Sequence, residues 1–204
     1  MGGLVQILKS AALGGLFVVS AAISAAAVTF NGNYSLSGNA YSEPGLVIQT
    51  SATTGAFSFN LNSGQSTTFD LFSIWTNENR VNGNNTRVRT LLADFMLSSF
   101  GASGTASGTT TGVNVAGIAQ YGSLSWAAPL TLTLNNGGTL TIALSNETFN
   151  LGLLRLSSGI NWAATVQATA TYRAPSAVPL PASGLLLAAA VATAAGMRRR
   201  RRAA

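Results

Sequence analysis

The sequence predicts an all-β protein: a single β-sandwich or jelly-roll-like domain, flanked by an N-terminal signal helix and a short C-terminal transmembrane helix. Three observations predict it. Apolar residues in the long central segment recur at every second position, and no stretch there sustains a 3.6-residue period. The same segment is rich in Gly, Asn, Ser and Thr, with turn signals at short intervals. Each end of the chain carries an apolar run beside positive charge. A length of 204 residues suits one domain large enough to bury a real core.

Residues 1–27 have the three parts of a secretory leader. Lys9 supplies the positive n-region, residues 11–23 the apolar h-region, and Ala25 and Ala27 the small-x-small cleavage site. Cleavage after Ala27 leaves Val28 at the new N-terminus. Export of this kind implies the Sec translocon as a partner.

The domain is expected over residues 28–174. Strands are expected at 28–36, 46–50, 56–61, 67–76, 88–98 and 113–125, with a turn at 62–65. The clearest hairpin runs 130–134, then Asn135-Asn136-Gly137-Gly138, then 139–144. It places Leu130, Leu132 and Leu134 on one face with Leu140, Ile142 and Leu144. The clearest strand is 162–172, where Trp162, Ala164, Val166, Ala168, Ala170 and Tyr172 alternate with polar residues. Two stretches read as loops: 77–89, rich in Asn, and 101–112, nearly all Gly, Ser, Thr and Ala, which reads as a flexible tip or exposed edge.

The tail has three parts. Residues 175–181 are a linker ending in a proline motif, 182–197 an apolar run, and 198–204 a basic end. A helix over 182–197 spans about 24 Å, short of the ~30 Å hydrocarbon core, so it is a marginal transmembrane helix. Arg198, Arg199, Arg200, Arg201 and Arg202 stay on the cytoplasmic side, where the chain is made, and set its orientation. Pro179 and Pro181 hold the preceding chain extended. Physically this suits either a plain anchor or a peptide offered to a processing enzyme.

Val178, Pro179, Leu180, Pro181 and Ala182, followed by the apolar run and the arginine cluster, resemble the VPLPA variant of the PEP-CTERM sorting domain. The family's commonest form is Pro-Glu-Pro; here Leu180 stands between the prolines. The resemblance covers about the last 25 residues and not the body. It implies a membrane processing enzyme of the exosortase type as partner, cleavage near the motif, and release or transfer to the cell surface. The family's catalytic residues belong to that enzyme, so the resemblance assigns none to this chain.

The formal charge is +6. Lys9 and the five terminal arginines account for six of the eleven positive charges. Five arginines then face five carboxylates, and the body is neutral. The basic balance therefore belongs to targeting and not to nucleic acid. The chain has no cysteine and no histidine, which removes disulfides, thiolate chemistry, and the usual general base and metal ligand. Asn-rich loops lack the alternating aspartates of a calcium site, so neither a metal nor a cofactor is expected.

Two surface chemistries remain. Asp70 and Asp94 lie in strand-like runs and are the candidates for a carboxylate pair of the glycan-hydrolase kind. Trp75, Trp126, Trp162, Tyr34, Tyr41, Tyr121 and Tyr172 are candidates for stacking on sugar rings. Trp75 and Trp162 sit in apolar alternation and read as core; Trp126, beside Ala127, Ala128 and Pro129, reads as the exposed one. Together with the absence of catalytic groups, the resemblance to the PEP-CTERM sorting domain implies an exported bacterial surface or matrix protein, non-enzymatic, structural or adhesive, linked to exopolysaccharide. A secreted carbohydrate-binding or carbohydrate-active protein, or a permanently tail-anchored periplasmic protein, is the alternative.

Overall fold

Alternation of apolar and polar side chains becomes eleven strands in the computed structural model, which describes residues 27–176 and Ala190. They are β1 (Val28–Gly38), β2 (Gln49–Thr50), β3 (Thr54–Leu61), β4 (Ser66–Trp75), β5 (Arg89–Leu97), β6 (Ala102–Val115), β7 (Ala119–Trp126), β8 (Leu130–Thr133), β9 (Thr139–Leu144), β10 (Glu147–Leu153) and β11 (Ala164–Arg173). One sheet has six strands in the order β10-β7-β6-β5-β1-β3, and the other five in the order β2-β4-β11-β9-β8. Every pairing is antiparallel.

The two sheets share one core. Phe30, Leu91, Phe95, Leu97 and Leu124 come from the first, and Ile74, Leu140, Ile142 and Val166 from the second; all are almost wholly buried. The β3–β4 connection carries the chain from one sheet to the other. Phe57 and Phe59 of β3 pack against Phe69 of β4, with Phe59 and Phe69 ring centres 5.3 Å apart and Phe57 and Phe69 5.5 Å apart. Outward-facing hydroxyls pair across strands, as in Ser66–Thr171 at 2.7 Å and Thr68–Thr169 at 2.9 Å. Such pairs let a surface of low charge remain wet.

The expected hairpin forms as β8 and β9, with Leu132 opposite Leu140 and Gly137 at φ 81 in the reversal, a conformation that glycine adopts without a Cβ penalty. The strand 162–172 forms as β11 from Ala164, with Val166, Ala168, Ala170 and Tyr172 buried. Trp162 does not join it. It ends a short 3-10 turn, Ile160–Trp162, and is exposed.

Residues 101–112 are not a flexible tip or an edge. They form most of β6, which lies between β5 and β7 inside the six-stranded sheet. Its inward residues are too small to produce an apolar period, and that smallness has a use. A Cβ on Gly104 would stand 2.8 Å from Leu132, and one on Gly108 2.7 Å from the Trp126 ring. Small residues on this strand receive large ones from its neighbours. The single strand expected at 113–125 is two strands, because Ala116 at φ 50 and Gly117 at φ 75 reverse the chain. β10 lay hidden because Asn150, at φ 54, breaks its alternation between Phe149 and Gly152.

Two cross-sheet features fix the packing. β4 bulges between Phe72 and Asp70 against β11, which frees the Leu71 carbonyl; the Tyr34 hydroxyl of β1 donates to it at 2.5 Å. Both ends of the domain also meet at one pole. Val28 pairs with Leu61, the Gly64 amide donates to the Tyr172 carbonyl at 2.8 Å, and the Ala174 amide donates to Ser63 Oγ at 3.0 Å. The chain enters and leaves beside the 62–65 reversal. No helix among the described residues is long and apolar enough to cross a membrane; the expected signal and transmembrane helices lie outside them.

Two stability measurements test this packing. A Cβ at Gly122 would lie 2.2 Å from the buried Phe149 ring, so Gly122→Ala should cost about 1–3 kcal/mol in denaturant unfolding. Tyr34→Phe leaves the Leu71 carbonyl unpartnered in the core and should cost roughly 1 kcal/mol or more. Burial raises the Tyr34 hydroxyl pKa above the ordinary tyrosine value, so the folded chain holds that proton more tightly than the unfolded chain. Its contribution is complete below about pH 10 and is lost as the pH rises past it. The alkaline fall in stability should therefore be shallower in Tyr34→Phe.

Candidate functional site

At the pole opposite the chain ends, loops must satisfy their backbone groups without a sheet. The segment 77–88, most of the Asn-rich loop expected at 77–89 before β5 takes Arg89, does so through side chains. The Glu78 carboxylate accepts the Val47 amide at 2.8 Å with one oxygen and the Asn85 side-chain amide at 2.6 Å with the other. Asn85, itself buried, also donates to the Gly45 carbonyl and accepts the Asn82 amide. Asn82 in turn accepts from the Asn84 amide at 2.7 Å.

Two buried amide side chains tie this loop to the segment between β10 and β11. Asn150 is 1% exposed. Its Oδ1 accepts the Thr76 amide at 2.8 Å, and its Nδ2 donates to the carbonyls of Ser157 and Gly159. Gln120 is 3% exposed. Its Oε1 accepts the Val81 amide at 2.6 Å, and its Nε2 donates to the Leu154 carbonyl at 3.2 Å. The Leu154 amide donates to the Ile118 carbonyl at 2.7 Å. Leu154 is thus clamped on both sides at φ 64, a region costly for a leucine. Backbone held in such a region persists only where its surroundings over-determine it, and such places cluster at ligand sites.

The clamped segment and the β6–β7 turn beside it present large apolar side chains to solvent. Leu153 is 75% exposed, Leu154 69%, Ile118 62% and Trp162 57%. Trp162 rides on the 3-10 turn that Asn150 secures through Gly159, whose amide donates to the Thr76 carbonyl at 2.8 Å. Beside it lies a recess of about 400 Å³, lined by Asn79, Leu153, Arg155, Ser157, Ser158 and Trp162, with Leu156 at its floor. That volume falls inside the ~300–1,000 Å³ range of small-ligand sites.

Charge is polarised toward this end. Arg80 and Arg87 lie on the 77–88 loop, Arg89 opens β5 and Arg155 follows β10. Arg80, Arg87 and Arg155 are exposed, whereas the Arg89 guanidinium donates twice to the Asn39 carbonyl. The acids at this end are Glu43, which is exposed, Glu78, whose two oxygens are both engaged internally, and Glu147, which stands level with Arg89 across the sheet and accepts from Ser145 Oγ.

The other candidates go elsewhere. Tyr34 and Tyr172 are core residues. Trp75, Tyr41 and Tyr121 are half-buried, and the Tyr41 hydroxyl lies 3.3 Å from Thr50 Oγ1. Trp126, expected to be the exposed platform, lies half-buried over Gly108 and donates its indole N–H to the Ser145 carbonyl at 3.1 Å. Trp162, expected in the core, is the exposed one: Gly159 at φ 94 stops the strand alternation short of it. Asp70 and Asp94 do not meet. They sit in different sheets and face away from the core, Asp70 accepting from Gln167 Nε2 at 2.8 Å and Asp94 from Thr105 Oγ1 at 2.5 Å. A shallow groove of about 690 Å³ crosses the outer face of the six-stranded sheet beside Asp94, Ser35, Thr54 and Met96. Among the described residues, no three acidic side chains gather as a metal-binding group. Residues 178–182, 198–202 and Ala25 lie outside the described residues; Ala27 is exposed and leads directly into β1.

Comparison with protein-family models, with curated proteins and with solved structures finds no match to this chain.

Replacing the clamp tests the site. Asn150→Ala removes the contacts to Thr76, Ser157 and Gly159 and should cost at least about 2 kcal/mol. Asn150→Gly tolerates the positive φ, so it isolates the hydrogen-bond share of that loss. In both variants the Trp162 indole resonance should broaden, while that of Trp126 stays sharp.

Proposed function

We propose that this chain is an exported bacterial surface or extracellular-matrix protein, with a non-catalytic structural or adhesive role linked to exopolysaccharide. The leader directs it to the Sec translocon. The C-terminal helix holds it transiently in the inner membrane, with its arginines in the cytoplasm, and an exosortase-type enzyme processes it at the motif around Pro179 and Pro181. The domain between is a jelly-roll-like β-sandwich. The crossovers that set β5 beside β1, and β11 between β4 and β9, support that reading.

The observation that carries the proposal is the arrangement of the two ends. Leader and tail leave the domain at one pole, and the clamped recess with Trp162 lies at the other. A domain held at the membrane by either end therefore turns its recess toward the outside. β1 begins at Val28, the first residue left by cleavage after Ala27, so removal of the leader takes nothing from the sheet. β11 ends at Arg173, which leaves a short run of chain before the motif.

Intact-mass measurement of the protein from surface and membrane fractions tests this. The surface form should lack residues 1–27 and the arginine cluster. Replacing both Pro179 and Pro181 by alanine should leave the protein in the membrane fraction with its tail intact. A surface form that keeps all five arginines would instead indicate a permanent tail anchor.

A further inference from the structure

We infer that the recess walled by Trp162 and Arg155 is a binding subsite for an acidic sugar residue within a polysaccharide chain. This deepens the matrix role proposed above and rests on it for the source of the ligand.

A sugar ring has an apolar face of C–H groups and a rim of hydroxyls, so its receptor needs a flat apolar wall and convergent polar groups. The recess has both. Trp162 offers an indole to solvent, and Leu153 adds apolar surface beside it. Asn79 and Ser157 supply amide and hydroxyl groups along the same walls, and the Ser158 hydroxyl, which donates to the Asn77 carbonyl at 2.8 Å, adds an acceptor. An indole on a loose loop would lose much of its stacking energy to ordering. Here the turn that bears it is fixed by Asn150 and Thr76, so the platform is formed in advance.

Arg155 selects an acidic ring over a neutral one. Its planar guanidinium matches a carboxylate with two parallel hydrogen bonds. No lining residue of the recess carries a carboxylate to compete for it, and Arg80 and Arg87 are exposed at the same end. The field at the mouth therefore favours an anionic chain, although the body as a whole is neutral. The exposed Leu154 and Ile118 beside the recess give adjoining sugar units further apolar surface.

The larger groove beside Asp94 fits this ligand less well. It has no exposed aromatic ring, and its one charged side chain is a carboxylate that repels an acidic sugar.

The test uses the mature protein recovered from the producing cells, with calorimetry and the Trp162 indole resonance as readouts. The probes are a uronic-acid oligosaccharide and the same oligosaccharide after reduction of its carboxyls to alcohols. The uronate form should bind and shift the Trp162 resonance, and the reduced form should bind at least tenfold more weakly. Trp162→Ala and Arg155→Gln should each lose at least tenfold, Arg155→Lys should recover part of the loss, and Asp94→Asn should change nothing. Added salt should weaken the uronate complex but leave the residual binding of the reduced form unchanged. Trp162→Tyr keeps an aromatic wall and should retain binding, which guards against reading a misfolded Trp162→Ala as a lost contact.

Equal binding of the two oligosaccharides, or binding that survives Trp162→Ala, would overturn the subsite while leaving the export proposal standing. Capture by anionic lipid vesicles with no response to the uronate form would overturn it in favour of a membrane-facing tip. Failure of the export proposal shows separately, as a protein whose mass and cell fraction do not change with the sorting motif.

Discussion

Buried side-chain amides hold the distal pole of this protein together. Loops that cross the end of a two-sheet core leave their N–H and C=O groups facing an apolar interior, and each unpaired group costs about 1–3 kcal/mol. Asn85, Gln120 and Asn150 meet that demand, because one primary amide both donates and accepts. Each joins segments far apart in sequence: Asn85 binds 45 to 78, Gln120 binds 81 to 154, and Asn150 binds 76 to 157 and 159. The exposed apolar residues of the tip keep their positions because this polar layer beneath them leaves the backbone no alternative arrangement. The recess is therefore built from below, by residues that no ligand touches.

Much of the fold was legible in the sequence, and the residues show why. The Leu130–Leu144 hairpin announced itself through alternating leucines and an Asn-Gly reversal, and Val166, Ala168, Ala170 and Tyr172 marked the inward face of β11. The strands that escaped notice are those whose side chains say little. Residues 102–112 of β6 are all Gly, Ala, Ser or Thr because the strand's neighbours fill the space above it, so its burial is visible only beside Leu130, Leu132 and Trp126. Composition alone cannot separate such a strand from a linker. The site was less legible still. Trp162 continues the apolar alternation of β11 in sequence, but the 3-10 turn Ile160–Trp162, entered at Gly159, takes its place in the structure and leaves it outside the core. The Asn-rich segment was visible as a loop, but its rigidity depends on a glutamine and an asparagine some 40 and 70 residues downstream of it.

The small residues and the large ones form one arrangement. The six-stranded sheet places glycine or alanine where the five-stranded sheet and the 126–130 segment bring leucine and tryptophan, and Gly122 receives Phe149 within a single sheet. Tyr34 adds a polar contact between the layers at the one place where β4 bulges. The outer faces bear threonine, serine and asparagine with little charge, so both sheets meet water through hydroxyls. A neutral, hydroxyl-rich exterior mixes readily with hydrated polymers and presents no large single-sign field outside the distal pole.

The position of β11 has a mechanical consequence. It runs down the middle of the five-stranded sheet, flanked by β4 and β9, and hands the chain to the tail at Arg173. Suppose the tail is fixed and something pulls on the far tip. The force then travels along β11, across hydrogen bonds that lie perpendicular to it. Where the load enters through β4 or β9, those bonds are sheared together along the flank instead of being peeled open one at a time. A central strand loaded in this way resists tension far better than an edge strand would, which makes the domain a sturdy link between whatever grips its two poles.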